Sequence, residues 1–252
     1  MKFTYHAYRE LLEQLRVQGY EFTDYTGWSD YTRCVILRHD IDYDINKAVQ
    51  MAALERDGGV TATYFVLLTS DFYNVFSGKI SGALRQIKSC GHAIGLHFDE
   101  MRYPELEGDL DSLRQKILDE ADLLSTAVGS KVDVVSMHRP GRAVLDADLT
   151  IPGMINSYGR VYFKYFKYLS DSRRRWREPV EEIVASGQFQ RLHILTHAFW
   201  YHEEEKNIHD TVADFVKKAD IFRYECLKEN ITDLEAIFSL TDSSNGQGGI
   251  LC

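Results

Sequence analysis

Short apolar runs alternate regularly with amphipathic stripes along this chain. Six short runs, most of them rich in β-branched and aromatic residues, predict strands. They lie at residues 34–37, 61–68, 92–97, 132–138, 168–170 and 192–197. Between them, apolar residues three and four positions apart predict helices, most clearly over 109–124 and 212–222. Because such alternation builds βαβ units, we expect an α/β fold with a mostly parallel sheet.

The domain organisation follows from the same pattern. No linker rich in Pro, Gly or Ser interrupts it, so we expect one domain over residues 1–240. Residues 241–252 lose the apolar periodicity, and we expect them to form a flexible C-terminal tail. A length of 252 residues suits a single α/β barrel of about 250 residues, although the periodicity alone fits an open sheet equally well.

Charge and hydropathy limit the range of expected binding partners and cellular compartments. The chain has 29 Lys and Arg against 38 Asp and Glu, a net charge of −9, which disfavours broad electrostatic contact with nucleic acid. No apolar stretch is long enough to span a bilayer, and the first twenty residues contain no signal-like apolar run. We therefore expect a cytoplasmic protein with no nucleic-acid partner and no membrane span.

Side chains that can bind a metal or transfer a proton follow most of the predicted strands. They are His39, Asp40, Asp42, His97, His138, Arg139, Asp171 and His197. Each of them alone has an ordinary structural explanation, such as a helix cap or a buried hydrogen bond. Together they favour one site, because the carboxyl ends of parallel strands meet at one face. Carboxylates with imidazoles suit Zn²⁺, and a further carboxylate could accept a proton from water.

Five segments in order resemble the motifs of the polysaccharide deacetylase family, the NodB-homology domains of carbohydrate esterase family four. Residues 37–42, Leu-Arg-His-Asp-Ile-Asp, resemble its Thr-Phe-Asp-Asp-Gly, and residues 91–97 are similar to its Gly-His-Glu-Ile-Gly-Asn-His. Residues 137–141 lie where the family has its third motif, which contains Arg and ends in Pro. Residues 168–176 resemble its Asp-and-Trp motif with a different spacing, and residues 195–197 match its Leu-x-His. The form His-Asp-x-Asp resembles a subgroup found with surface-polysaccharide genes.

The resemblance implies a distorted (β/α) barrel of about seven parallel strands and a metal centre. By the match, Asp42 is a metal ligand and His97 the first metal histidine. The extra residue between the two acids leaves the roles of Asp40 and Asp42 open to exchange. The second histidine of the family is replaced by Met101. His138 is the nearest substitute, and His39 is the weaker alternative.

The resemblance also implies the remaining catalytic roles. Asp40 is the expected base, tuned by Arg139 beside it, and His197 is the acid that protonates the leaving amine. Asp171 orients a histidine, for which His197 is the first choice. Aromatic and basic residues near the late motifs are candidates for contact with sugar rings and phosphates. They are Trp176, Trp200, Tyr201 and Arg175.

The implied function is metal-dependent hydrolysis, with Zn²⁺, of an N-acetyl or O-acetyl group on a sugar or glycoconjugate. Because Met101 stands where the family has a ligand, a carbohydrate-binding protein without turnover is one alternative. Hydrolysis of another C–N bond is a second. The sequence leaves the oligomeric state open.

Overall fold

The structure, a computed structural model, describes residues 1–240, so the expected flexible tail over 241–252 lies outside the described residues. The strands are β1 (Glu21–Thr23), β2 (Cys34–Ile41), β3 (Thr63–Leu67), β4 (Ala93–Asp99), β5 (Val134–His138), β6 (Ile155–Asn156), β7 (Lys167–Ser170) and β8 (Arg191–Thr196). The α-helices are α1 (Tyr5–Val17), α2 (Ile45–Asp57), α3 (Gly78–Ser89), α4 (Leu110–Val128), α5 (Arg142–Ala147), α6 (Arg160–Lys164), α7 (Val180–Ser186), α8 (Ile208–Lys228) and α9 (Leu234–Ile237). All six predicted strands are present. β1 and β6 escape sequence prediction because three and two residues are too few to show a period.

The strands form one parallel sheet in the order β6-β5-β4-β3-β2-β8-β7, and β1 pairs with the first residues of β2. Within the described residues no pairing joins β6 to β7, so the curled sheet stays open at that side. The predicted α/β class and the distorted barrel of about seven parallel strands are confirmed.

The alternation of side chains along the central strand β2 determines which of its residues face the inside of the barrel. All eight of its residues are buried, because a parallel sheet is covered on both faces. Successive side chains point to opposite faces, so Arg38 and Asp40 share the inner face. His39 points the other way and contacts Tyr8 of α1 and Glu55 of α2.

The inner face carries an apolar cluster at the amino ends of the strands. Its buried members are Tyr25, Cys34, Ile36, Phe65, Val134, Tyr162 and Phe166. Gly95 on β4 permits this packing, since a Cβ there would lie 2.5 Å from the ring of Phe65. The polar residues therefore occupy the other end of the barrel, at the carboxyl ends of the strands.

Two helices begin at aspartate caps, and one of them, α4, begins at the predicted residue 109. Asp44 accepts a hydrogen bond from the backbone N–H of Asn46 at 2.9 Å and begins α2. Asp109 accepts from the N–H of Ser112 at 3.1 Å and begins α4. Caps of this kind contribute about 1 kcal/mol each.

Among the described residues, those up to Glu204 form one compact unit, and residues 205–240 belong to a second. The single-domain prediction over residues 1–240 stays a prediction. In the second unit, the predicted late helix is present as α8, and its apolar residues Val212, Val216 and Phe222 are exposed.

Across residues 1–240, no helix combines the length and the apolar character that a bilayer span requires.

Candidate active site

The carboxyl ends of β2, β4 and β5 bring three of the predicted side chains within direct reach of one another. His97 Nε2 lies 3.0 Å from His138 Nδ1 and 3.4 Å from Asp42 Oδ1. His138 Nδ1 also lies 3.4 Å from Asp42 Oδ1. Asp42, His97 and His138 are thus a set of potential metal ligands drawn from three strand ends.

The spacing of these donor atoms fits a small divalent ion. Ligand atoms about 2.0–2.1 Å from a tetrahedral zinc lie about 3.3–3.4 Å from one another. The three separations of 3.0, 3.4 and 3.4 Å are close to that value. Asp42 Oδ1 is buried and has no hydrogen-bond partner among the described residues, which is costly unless a cation compensates it.

The surroundings of the two histidines agree with this fit. His97 Nδ1–H donates to the carbonyl of Ser136 at 3.3 Å, which leaves Nε2 facing Asp42 and His138. Burial and then the neighbouring His97 imidazole lower the pKa of His138, so its ring is neutral at pH 7. Neutral imidazoles are the form that binds zinc.

Asp40 is held by an arginine that the sequence analysis did not single out. The Arg38 guanidinium, fully buried, donates from Nε to Asp40 Oδ1 at 2.8 Å and from Nη2 to Oδ2 at 2.7 Å. Burial raises the pKa of Asp40, but Arg38 and then His97 lower it more, so the net pKa lies well below its usual range. Arg38 and Asp40 are two residues apart on one strand, so their side chains lie on the same face. That spacing is the sequence signal from which their pairing could have been predicted.

The two acids of the first motif therefore have different surroundings. Both oxygens of Asp40 are occupied by Arg38, and Oδ2 lies 3.5 Å from His97 Nε2. Asp42 Oδ1 instead faces His97 and His138 directly. This arrangement favours Asp42 as the ligand and leaves Asp40 beside the cluster.

His197 faces the same cluster from the end of β8. Its Nε2 lies 3.8 Å from Asp42 Oδ2, while its Nδ1–H donates to Asp171 Oδ1 at 2.6 Å. Asp171 also accepts from the backbone N–H of His197 at 3.1 Å and from the hydroxyl of Tyr201 at 3.2 Å. Burial lowers the pKa of His197, but Asp171 raises it more, to about 9. His197 is therefore an imidazolium at neutral pH, with its free nitrogen directed at the cluster.

The sequence interpretation has Arg139 beside Asp40 as the group that tunes it, whereas the structure pairs the Arg139 guanidinium with Asp99. The residue follows His138 with a left-handed backbone, φ 51°, and its guanidinium donates to Asp99. The next carboxylate, Glu100, accepts from the backbone N–H of Gly141. These two contacts fix the loop that follows His138, and the ion pair to Asp40 comes from Arg38.

His138 and His39 are the two candidates for the metal histidine that Met101 replaces, and the alternation of side chains along β2 distinguishes them. His39 lies on the outer face, where Nε2–H donates to Glu55 at 2.7 Å and Nδ1 contacts the hydroxyl of Thr196 at 2.6 Å. Met101 is 62% exposed and belongs to the turn after β4. His138, and neither of these, lies with Asp42 and His97.

The four predicted substrate contacts differ in accessibility. Tyr201 is fully buried, donates to Asp171 and packs against Tyr8, so its expected role as a sugar platform is wrong. Trp200 is 8% exposed and lies against Phe199 with ring centroids 4.8 Å apart. Trp176 is half-buried, and Arg175 is exposed.

Neither a protein-family model nor a curated protein matches the sequence significantly. Among solved structures, a CE4 esterase from Streptococcus mutans is 17% identical, with a TM-score of 0.51 over 83% of this chain and 89% of that one. This chain has the fold of a family 4 carbohydrate esterase. At that identity the similarity establishes the fold alone.

Two further solved structures match more loosely. The catalytic domain of a peptidoglycan N-acetylglucosamine deacetylase from Eubacterium rectale is 13% identical, covers 81% of this chain and 89% of its own, and has a TM-score of 0.45. A CE4 family pseudoenzyme from Bacillus anthracis is 12% identical over 76% of this chain, with a TM-score of 0.41. The chain spans only 61% of that protein.

Proposed function

We propose that the protein is a metal-dependent hydrolase that removes an N-acetyl group, or less favourably an O-acetyl group, from a sugar or glycoconjugate. The observation that carries the proposal is the three-way contact of Asp42 Oδ1, His97 Nε2 and His138 Nδ1, at separations of 3.0–3.4 Å. Zinc as the ion, the acetylated sugar as the partner and a cytoplasmic setting are parts of this proposal.

Asp42, His97 and His138 would hold the ion. When bound, a divalent ion supplies Lewis acidity, which polarises a carbonyl and makes water more acidic. Asp40, kept ionised by Arg38, would accept the proton that the attacking water releases. His197, kept protonated by Asp171, would donate its Nε2 proton to the departing amine nitrogen. Water and the amide are thereby converted to acetate and a free amine.

One observation favours a second candidate, a carbohydrate-binding protein without turnover. Both oxygens of Asp40 are engaged by the buried Arg38, and the low pKa that results weakens Asp40 as a base. A scaffold with this pair could retain ion and ligand binding while losing proton transfer.

The two candidates are distinguished by metal analysis combined with acetate release. Protein purified without chelators is analysed for bound zinc and then incubated with N-acetylglucosamine oligomers. Stoichiometric zinc with acetate release supports the hydrolase. Zinc without release supports the binding protein, and a protein that neither retains nor takes up zinc contradicts the metal site itself. Ammonia or another amine, released without acetate from other amides, would redirect the proposal to a different C–N bond.

A further inference from the structure

The loop between β7 and α7 concentrates positive charge next to the candidate active site. Residues 173–177 read Arg-Arg-Arg-Trp-Arg, whereas the chain as a whole has a net charge of −9. The loop begins after Asp171, the carboxylate that accepts the hydrogen bond of His197. The backbone N–H of Arg175 donates back to the carbonyl of Asp171 at 3.1 Å. The arginines are therefore fixed beside the residue that holds the candidate acid.

Side-chain exposure alternates along this loop. Arg174 and Trp176 are half-buried, and the Arg174 guanidinium lies over the ring of Phe3, 5.4 Å from its centroid. The exposed side chains, which we call the arginine strip, are Arg173, Arg175 and Arg177. The alternation shows that one set of side chains holds the loop against the protein while the other set faces solvent.

The arginine strip has no carboxylate partner in the part of the chain that the structure describes. None of its members forms an ion pair with another of residues 1–240. The one acid that closes the segment, Glu178, is engaged by Lys167, whose Nζ donates to Oε1 at 2.8 Å. Three uncompensated guanidinium groups this close in the chain repel one another, so the strip gains from binding an anion.

The backbone of the loop is unfavourable for the residues that it carries. Arg173 has φ 60° and Arg174 has φ 56°, both in the left-handed region that favours Gly and Asn. Two arginines in succession at such positions are strained, and backbone strain of this kind is concentrated at functional sites. The strain adds to the charge pattern as a reason to assign a ligand to this loop.

The number and the kind of these side chains favour a phosphate group over a carboxylate. A carboxylate has two oxygens, which one guanidinium engages bidentately. A diphosphate carries more charge and more acceptor oxygens, so it can engage several guanidinium groups at once. In an N-acetylhexosamine 1-diphosphate, the phosphate is on the carbon next to the one that carries the acetamido group. An acetamido group at the candidate active site would therefore place the diphosphate toward an adjoining loop.

We propose that Arg173, Arg175 and Arg177 form a subsite for the diphosphate of a sugar that is linked to a nucleoside or to a lipid. The assignment rests on the proposed function for the acetylated sugar. It makes an activated monosaccharide, rather than a neutral polysaccharide, the substrate class. The nucleoside and lipid forms share the diphosphate that the strip recognises, so the test includes both.

The test measures binding of UDP-N-acetylglucosamine to metal-free protein by titration calorimetry, so that neither turnover nor a contact of phosphate with metal contributes. The double variant Arg175→Gln with Arg177→Gln should raise the dissociation constant about tenfold, the scale of a lost charge-assisted hydrogen bond. Arg85→Gln is the matched control, because it removes an exposed arginine from α3 and should leave the affinity unchanged. Both variants should keep the wild-type urea midpoint, since the altered side chains are exposed. A second arm replaces the nucleotide with polyprenyl-diphosphate-linked N-acetylglucosamine in detergent micelles.

The subsite and the chemistry can fail independently. The subsite is supported if either diphosphate sugar binds and only the double variant weakens that binding, and the arm that binds identifies the nucleoside or the lipid form. It is refuted if wild-type protein binds neither, or if the double variant binds like Arg85→Gln. If binding depends on the strip but zinc-loaded protein releases no acetate from the diphosphate sugar or from N-acetylglucosamine oligomers, the subsite stands and the hydrolase proposal fails.

Discussion

The pair formed by Asp171 and His197 gives the sharpest quantitative prediction. A pKa raised from 6.5 to about 9 corresponds to about 3 kcal/mol of preferential binding of the proton by the folded state. Since the folded pKa lies above the unfolded one, this stability is complete below pH 6.5 and is lost as the pH rises through about 9. Replacing Asp171 with Asn removes the carboxylate that causes the shift.

The measurement is a comparison of free energies of unfolding by urea for wild-type protein and Asp171→Asn, both free of metal, at pH 6 and pH 9. Groups that titrate equally in both proteins cancel in the comparison. The wild-type advantage should therefore shrink by about 3 kcal/mol between the two pH values. If wild-type protein exceeds Asp171→Asn in free energy of unfolding by the same amount at pH 6 and pH 9, Asp171 is not the cause of the raised pKa of His197.

The same shift can be observed in wild-type protein without any substitution. Nuclear magnetic resonance of the imidazole signals, with His197→Gln to assign them, should show His197 titrating at about 9. A midpoint near 6.5 would contradict the strong coupling to Asp171, whatever the stability of the variants.

Three further predictions concern the candidate active site. His138→Ala should lower zinc affinity at least tenfold in a chelator competition. His39→Ala should keep the wild-type zinc affinity and instead lose about 1–3 kcal/mol of stability, because buried Glu55 loses a hydrogen-bond donor. Equal zinc affinities of the two variants would contradict the choice of His138 over His39 as the metal ligand. Arg38→Met should lower the free energy of unfolding, measured with urea, by about 3–5 kcal/mol, because it leaves the Asp40 carboxylate buried and unpaired. A loss under 1 kcal/mol would show that the Arg38–Asp40 ion pair contributes little to stability. Asp40→Asn should abolish acetate release with zinc still bound, and near-normal turnover would exclude Asp40 as the base.

Several features were accessible from the sequence because they depend on neighbours along the chain. The apolar runs located the six longer strands, and the carboxyl ends of those strands located Asp42, His97 and His197. The period of two along β2 also implies that Arg38 shares a face with Asp40 while His39 does not. That inference needs only the strand assignment, and it would have identified Arg38 as the partner of Asp40.

The remaining features required the tertiary structure, because they depend on how separate strand ends and loops approach each other. Nothing local indicates that the left-handed backbone at Arg139 directs its guanidinium to Asp99. Nor does the sequence indicate that Tyr201 is buried against Asp171 while Phe72 stays exposed. A strand period fixes the face on which a side chain lies. Only the curvature of the sheet and the anchoring of its loops decide which side chains on that face meet.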